Sequence, residues 1–462
     1  MSPVKRSRLL ITLFAATLVI AGSTAAILFA QGYRPNLKGG LIQGTGLLSA
    51  TSYPKSAQVF IDDKLTSATD TTINLLPGQY QVKITKEGFL PWEKHLDVQA
   101  ELVTTTDARL FPAVPSLSAL TYSGSITPQT SPNGRRIAYF TSDSLDEDKR
   151  GLYTMDLDNS PLSLNRAHQQ ITRLHSKYKL DNSQLLWSPD SKQLLLAFFN
   201  PQTQAVEASY LLDTNNLNHF SNTPDVSVRL PLILSQWEEQ LARLQVDQLA
   251  LLPDFLANLA TQSAINLYFS PDEEKLLYVP TTAIDLPINL KPSVAAINST
   301  PQDRHLQPNN IYVYDIKEDT NYHLDTYTTP SDLPIKPTLH LKSTPTTPSP
   351  TGTSTTSKTA QAVYNRLQQD GSMIKTFNLF RAQYSPLYSG LPLWYQTSRH
   401  LITTKDNRLT IFEYDNLNPS VVYSGPFNPS FLTVSPAGDR LILLTNLNQN
   451  DAPTNLYSLD LK

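Results

Sequence analysis

The chain has no cysteine in 462 residues. Disulfides, thiolate metal sites and a cysteine nucleophile are thereby excluded, so a domain outside the cytoplasm must hold together by its core alone. It also lacks a dominant sign of charge, with 37 basic residues against 40 acidic ones. A nucleic-acid-binding chain ordinarily carries a basic stripe, so no nucleic-acid partner is expected. The eight histidines show no paired spacing such as H-E-x-x-H, and there is no G-x-S-x-G elbow, phosphate loop or dinucleotide fingerprint. The expectation is therefore a non-enzyme with no catalytic, cofactor-binding or metal residues, its ligand residues unknown. Glycine is modest at 16 and proline abundant at 34, which suits a β-rich chain with many turns.

One long hydrophobic run is present. Lys5, Arg6 and Arg8 precede the uncharged stretch Leu9–Ala30, of which eleven residues are Leu, Ile, Val or Phe. As a helix it would span about 33 Å, close to a hydrocarbon core of about 30 Å. Those eleven residues favour insertion by about 3–6 kcal/mol. A cleaved signal peptide has a shorter apolar stretch. The reading is a cytoplasmic tail at 1–8, a single membrane-spanning signal anchor at 9–30 and a linker at 31–44, with the rest extracytoplasmic by the positive-inside rule.

Residues 45–112 then alternate with period two between turn signals. Gln58-Val59-Phe60-Ile61 stops at Asp62-Asp63, and Pro77-Gly78 precedes the alternating Tyr80, Val82 and Ile84. This patterning predicts a small β-sandwich. The pieces "TSYPKSAQVFIDDKL", "INLLPGQYQVKITKEGF" and "PWEKHLDV" resemble the PEGA family, although its namesake motif reads Pro77-Gly78-Gln79-Tyr80 here. The resemblance implies an extracytoplasmic β-domain on a surface protein. Tyr80, Phe89 and Trp92 are candidates for a carbohydrate-stacking platform, but filling a small core is the favoured role.

From residue 113 a hairpin recurs. "LLWSPDSKQLLLAF" (185–198) is echoed in "QTSPNGRRIAYF" from Gln129, "LYFSPDEEKLLYV" from Leu267 and "LTVSPAGDRLILL" from Leu432. Proline sets φ near −65° at the second turn position, and the Asp or Asn that follows can bond its own backbone. Each hairpin leads to an aromatic-centred strand ending in Asp, such as "GLYTMDLD" and "NLYSLDLK". The interval is 22 residues from Ser131 to Tyr153, Ser188 to Tyr210 and Ser435 to Tyr457. Between Ser270 and Tyr312 it is 42, which implies an insertion. A degenerate copy, "LWYQTSRHLITT", aligns Tyr395 with Ser188 and predicts a short hairpin at Asp406-Asn407.

Such repeats stack radially, since none buries both faces alone. The hairpin and strand resemble TolB-like and WD-repeat-like β-propellers. The order of anchor, PEGA-like domain and propeller resembles surface proteins of candidate-phyla bacteria. The fold class is thus mainly β: a transmembrane helix, a PEGA-like sandwich and an irregular propeller over 113–462. Six blades are favoured and five possible, the sixth falling in 322–392. The final strand Leu456–Leu461 is expected to complete a blade begun near 113–127 and so close the ring.

Two insertions interrupt the pattern. Residues 228–262 carry Leu234, Trp237, Leu241 and Leu244 at helical spacing, and Pro253 opens a second helix with Phe255, Leu256 and Leu259. A lid on the propeller is preferred to a free arm for a partner. Residues 343–359, with fifteen Ser, Thr or Pro among 17, read as disordered. "DSLDEDK" (143–149) groups four carboxylates without the spacing of a calcium loop and reads as a solvated hairpin tip. Asp156, Asp213, Asp315, Asp415 and Asp460 recur once per repeat, which suits a strand-end role rather than catalysis. The expected function is membrane-anchored binding or scaffolding at the cell envelope, with a protein or glycan partner. Alternatives are a propeller enzyme acting on envelope glycans and an assembly factor docking through 228–262.

Overall fold

The computed structural model describes residues 3–30, 34–36, 40–141, 146–158, 168–173, 179–291, 298–328, 372–447 and 453–462. The low-complexity stretch 343–359 and Asp143–Leu145 lie outside them. The chain divides into two units, Met1–Ala113 with Ser293–Pro301, and Val114–Pro292 with Gln302–Lys462.

The first unit begins with helix α1, Pro3–Ala30. Side chains are described for residues 12–27 of it, and all are exposed. Among the described residues no helix is long and apolar enough to cross a membrane. The expected linker contains two short paired strands, Arg34–Asn36 and Gly40–Gln43. Beyond them lie a four-stranded sheet (Lys64–Ala68, Gln58–Ile61, Gly78–Thr85, Trp92–Val98, in that spatial order) and a three-stranded one (Val103–Thr105, Gly46–Ala50, Thr71–Leu75). The predicted alternation is visible directly: Val59, Ile61, Val82, Ile84, Trp92 and Leu96 are all buried in one core with Leu48 and Ala50. Each such side chain contributes about 1.5–3 kcal/mol. Trp92 is 2 % exposed, and Tyr80 and Phe89 pack against the same cluster. Trp92 is thus a core residue, with Tyr80 and Phe89 half-buried against it.

The second unit contains five sheets built from the repeated hairpin. Sheet 1 runs Ile126–Thr130, Arg136–Thr141, Gly151–Asp156 and His168–Arg173. Sheet 2 has three strands, Ser183–Trp187, Gln193–Phe199 and Val206–Asp213. Sheet 3 has Ala264–Phe269, Lys275–Pro280, Asn310–Asp315 and Thr320–Thr326. Sheet 4 has Leu393–Trp394, His400–Thr403, Arg408–Glu413 and Ser420–Ser424. Sheet 5 joins Leu432–Val434, Arg440–Thr445 and Asn455–Asp460 to Leu117–Ala119, a strand more than 300 residues earlier. Leu117 pairs with Leu459, Ser118 with Ser458 and Ala119 with Tyr457.

All five turns share one geometry. The residue at the Ser position donates its N–H to the carbonyl of the residue five along, as in Ser188 to Gln193 at 2.9 Å, and in the four Ser copies the hydroxyl accepts that residue's N–H in return. The hydroxyl bonds the turn Asp, with Ser188 Oγ to Asp190 Oδ1 at 2.6 Å and Ser270 Oγ to Asp272 Oδ1 at 2.5 Å. The fourth residue is left-handed in every copy: Gly134, Ser191, Glu273, Ser398 and Gly438 have φ between 59° and 70°. Tyr395 makes the same backbone bond, to His400 at 2.9 Å, so the degenerate copy is a true repeat. In the four Ser copies the aromatic 22 or 42 residues on pairs with the eighth residue after the Ser: Tyr139 with Tyr153, Leu196 with Tyr210, Tyr278 with Tyr312 and Leu443 with Tyr457.

The central strands read as continuous apolar runs because both of their faces are covered. In sheet 2, Leu194, Leu196 and Phe198 pack on Ala138, Phe140 and Leu152 of sheet 1, while Leu195, Ala197 and Phe199 pack on helices. The other face of sheet 1 (Ile137, Tyr139, Met155) meets Ile442, Leu444 and Leu456 of sheet 5. Sheet 3 (Leu277, Val279, Val313) meets sheet 4 (Leu401, Phe412). Sheets 4 and 5 are joined where the Tyr395 hydroxyl donates to the Gly438 carbonyl. The same contacts repeat around the circle: Trp187 Nε1 donates to the Gln129 carbonyl at 3.2 Å, and Trp394 Nε1 to the Tyr268 carbonyl at 3.1 Å.

Sheets 2 and 3 are separated by helices. Helix α2, Leu230–Leu249, buries Leu230, Ile233, Leu234 and Trp237 against sheet 2. Helix α3, Asp254–Gln262, buries Leu256 and Leu259 on the Leu276–Tyr278 face of sheet 3. The sixth blade expected in 322–392 falls largely on residues outside the described ones. That region supplies the last strand of sheet 3 and helix α4, Ser372–Tyr384. Among the described residues the contact order 5–1–2–helices–3–4–5 closes on itself, giving an irregular propeller-like ring of five sheets with a helical wedge.

Candidate functional site

Helix α4 faces two ways. Met373, Phe377 and Phe380 are spaced i, i+4, i+7 and enter the core shared with sheet 2 and Trp237. The Phe377 ring meets Phe199 edge-on at 6.0 Å, and Phe380 meets Trp237 at 6.5 Å. The helix ends before Pro386, as the residue preceding a proline disfavours the α region. A 3₁₀ turn, Pro386–Ser389, follows and is closed by left-handed Gly390 with φ 71°. The remaining face presents Arg381, Tyr384 and, in the turn, Tyr388.

This face reaches the first strands of the two sheets it separates. The Tyr384 hydroxyl donates to the Trp187 carbonyl at 2.9 Å. The Tyr268 hydroxyl bonds both the Ala382 carbonyl and Ser389 Oγ, the latter at 2.6 Å. The first strands of sheets 1, 4 and 5 meet the same place from the other side. Together they enclose a cavity of about 150 Å³. Its walls carry the neutral polar side chains of Gln129, Ser131, Gln396 and Thr433, and the rings of Trp394 and Phe431. All five first strands therefore converge on this cavity or on the helix beside it.

Arg381 is the single charged residue in the described lining. Its Nη2 donates to the Leu185 carbonyl at 2.9 Å and its Nη1 to Asn378 Oδ1 at 3.3 Å. Its buried Nε has no hydrogen-bond partner among the described residues. Burial pulls the guanidinium below its ordinary range, opposed by the neighbouring Tyr388 hydroxyl. Burial likewise raises Tyr388, with the Arg381 charge acting against it. Tyr384 is raised by burial and then by the Asp190 carboxylate. A second cavity of about 310 Å³ lies between sheets 3 and 4, but its charges, Lys405 and Asp325, are paired with each other.

The recurring aspartates stand at strand ends. Asp156 pairs with Arg136 at 2.8 Å, Asp315 with Lys275 at 3.3 Å, and Asp213 accepts from the Asn215 N–H at 2.9 Å. Asp415 is buried at the end of sheet 4, and Asp460 accepts from the Lys462 N–H at 3.2 Å. None of the five lines the ring cavity. In the acidic cluster, Asp146 caps a 3₁₀ turn and Asp148 pairs with Arg173 at 2.8 Å. Among the described residues no three His, Cys, Asp or Glu side chains cluster. The sequence reading missed Arg381. Its signal is a single arginine set among Phe377, Phe380 and Tyr384 at helical spacing.

Residues 45–113 match the PEGA domain family. The PEGA domain thus coincides with the two-sheet sandwich of the first unit. No curated protein matches the chain. Among solved structures, an oligogalacturonate lyase from Vibrio parahaemolyticus is similar at 10% identity over 83% of this chain and 86% of that one, with a TM-score of 0.24. TolB from Acinetobacter baumannii is similar at 11% identity over 83% of this chain and 59% of that one, with a TM-score of 0.20. Similarities at this level leave the propeller to rest on the sheet order itself and say nothing of activity.

Proposed function

We propose that the chain is a membrane-anchored binding or scaffolding protein of the bacterial cell envelope. Its PEGA domain and propeller lie outside the cytoplasm and engage a protein or glycan partner. The observation that carries the reading is the uncharged run Leu9–Ala30, inside a helix, with Lys5, Arg6 and Arg8 before it and a PEGA domain after it. The basic flank favours a cytoplasmic N-terminus. Binding is preferred to catalysis because the described ring cavity carries Arg381 and no carboxylate. A glycosidase pair would need two, about 5–10 Å apart.

The lack of cysteine makes the test simple. Ser221→Cys, at an exposed loop of the propeller, and Ser7→Cys, ahead of the uncharged run Leu9–Ala30, each supply one thiol. A membrane-impermeant maleimide applied to intact cells is expected to label the first, and the second only after permeabilisation. Labelling in the opposite order, or recovery of the full-length chain in the soluble fraction, would overturn the reading.

A docking role for 228–262 has one observation behind it: Leu244, Val246 and Leu251 stay 52%, 48% and 44% exposed beside the buried half of the wedge. Deleting 238–248 should then abolish a co-purifying partner while leaving the sheets folded.

A further inference from the structure

We propose that the ring cavity binds a small organic carboxylate, with Arg381 as its receiving cation. Buried charges are ordinarily paired, because taking a guanidinium out of water without a counter-charge is costly. Two buried pairs in the second unit follow that rule. Lys275 has Asp315 at 3.3 Å, and Arg304 has Asp319 at 3.1 Å, with all four side chains at least 88% buried. Arg381, half-buried in the cavity wall, differs: among the described residues its partners are a backbone carbonyl and an amide oxygen, both neutral. Its Nε, shut off from solvent, likewise has no partner among the described residues.

The surroundings fit an anion of this kind. Guanidinium presents its donors in a planar fork that matches a carboxylate. Gln129, Ser131, Gln396 and Thr433 offer neutral hydrogen-bonding groups, while Trp394 and Phe431 supply apolar walls. A few polar groups set in an apolar wall are the usual composition of a small-molecule site. A purely structural Arg381, clamping helix α4 to the Leu185 carbonyl, would leave its charge uncompensated. A bound carboxylate compensates it. The inference deepens the binding reading of the ring and rests on it, but not on which side of a membrane the ring lies.

The test is calorimetric titration of the full-length chain in detergent with acetate and with D-glucuronate. The uncharged amides of the two acids serve as controls of equal shape. Saturable binding of either acid, with neither amide bound, is expected. Arg381→Met should weaken it about ten- to hundredfold, and Arg381→Lys should restore only part, since ammonium lacks the fork. Should Arg381→Met fail to fold, the wild-type arms still decide. The proposal is overturned if neither acid binds, if the amides bind equally well, or if Arg381→Met binds as tightly as wild type. Failure here leaves the topology assay untouched, and failure of that assay leaves this one standing.

Discussion

Replacing Asp439 by asparagine tests how the ring is locked at its closing sheet. Asp439 Oδ1 accepts from the Ser435 hydroxyl at 2.6 Å, and its other oxygen lies 2.9 Å from the Nζ of the terminal Lys462. Burial works against ionisation, but the Ser435 hydroxyl, Lys462 and Arg440 outweigh it and hold the carboxyl at about 2, below its ordinary 3.8. That gap corresponds to about 2 kcal/mol. Because Lys462 is 56% exposed, solvent screening brings the expected loss to about 1–2 kcal/mol. The folded carboxyl is the stronger acid, so its contribution is whole above 3.8 and vanishes as pH falls towards 2. Thermal melts of wild type and Asp439→Asn should differ by about 2–6 °C at pH 7. The difference should hold down to about pH 5 and shrink in more acid buffer. Equal melting at pH 7, or a gap that does not shrink in acid, would refute the reasoning.

Two further substitutions probe the repeat. At Gly151 a Cβ would lie 2.1 Å from the Thr172 carbonyl oxygen, which is backbone. Gly151→Ala should therefore cost about 1–3 kcal/mol, read as a lower denaturation midpoint. Asp406 and Asn407 are both left-handed, with φ 55° and 54°, in the two-residue turn closed by the Arg408 N–H to the Lys405 carbonyl at 2.9 Å. Glycine tolerates that conformation better, so Asn407→Gly should stabilise by about 0.5 kcal/mol, read as a higher denaturation midpoint.

What was legible in the sequence was what local chemistry controls. Ser188-Pro189-Asp190 specifies its turn through the proline ring and one carboxylate, so its echoes could be found by eye. Tyr395 could be placed because the strands around it keep the pattern after the Ser and Pro are gone. The wedge helices announced themselves through Leu234, Trp237 and Leu256. The blade count was not legible, since spacing measures chain length and not what the chain does with it. The long interval between Ser270 and Tyr395 holds an insertion and a helix, and Met373, Phe377 and Phe380 carried the only sign of the latter. Arg381 was hidden for a different reason. Its interest comes from having no carboxylate neighbour among the described residues, and that neighbourhood is assembled from sheets 1, 4 and 5, which are distant in sequence.

The central claim is that the two ends of the second unit share one sheet. Ser118 and Ser458 face each other across its antiparallel edge pair, a spacing within disulfide reach. In a chain with no other cysteine, Ser118→Cys with Ser458→Cys can form only one intramolecular bond. Mild oxidation of the native double variant should give a monomer with both thiols consumed and faster migration on a non-reducing gel. If both thiols stay open to alkylation in the native protein, or bond only after denaturation, the ring is not closed by these strands.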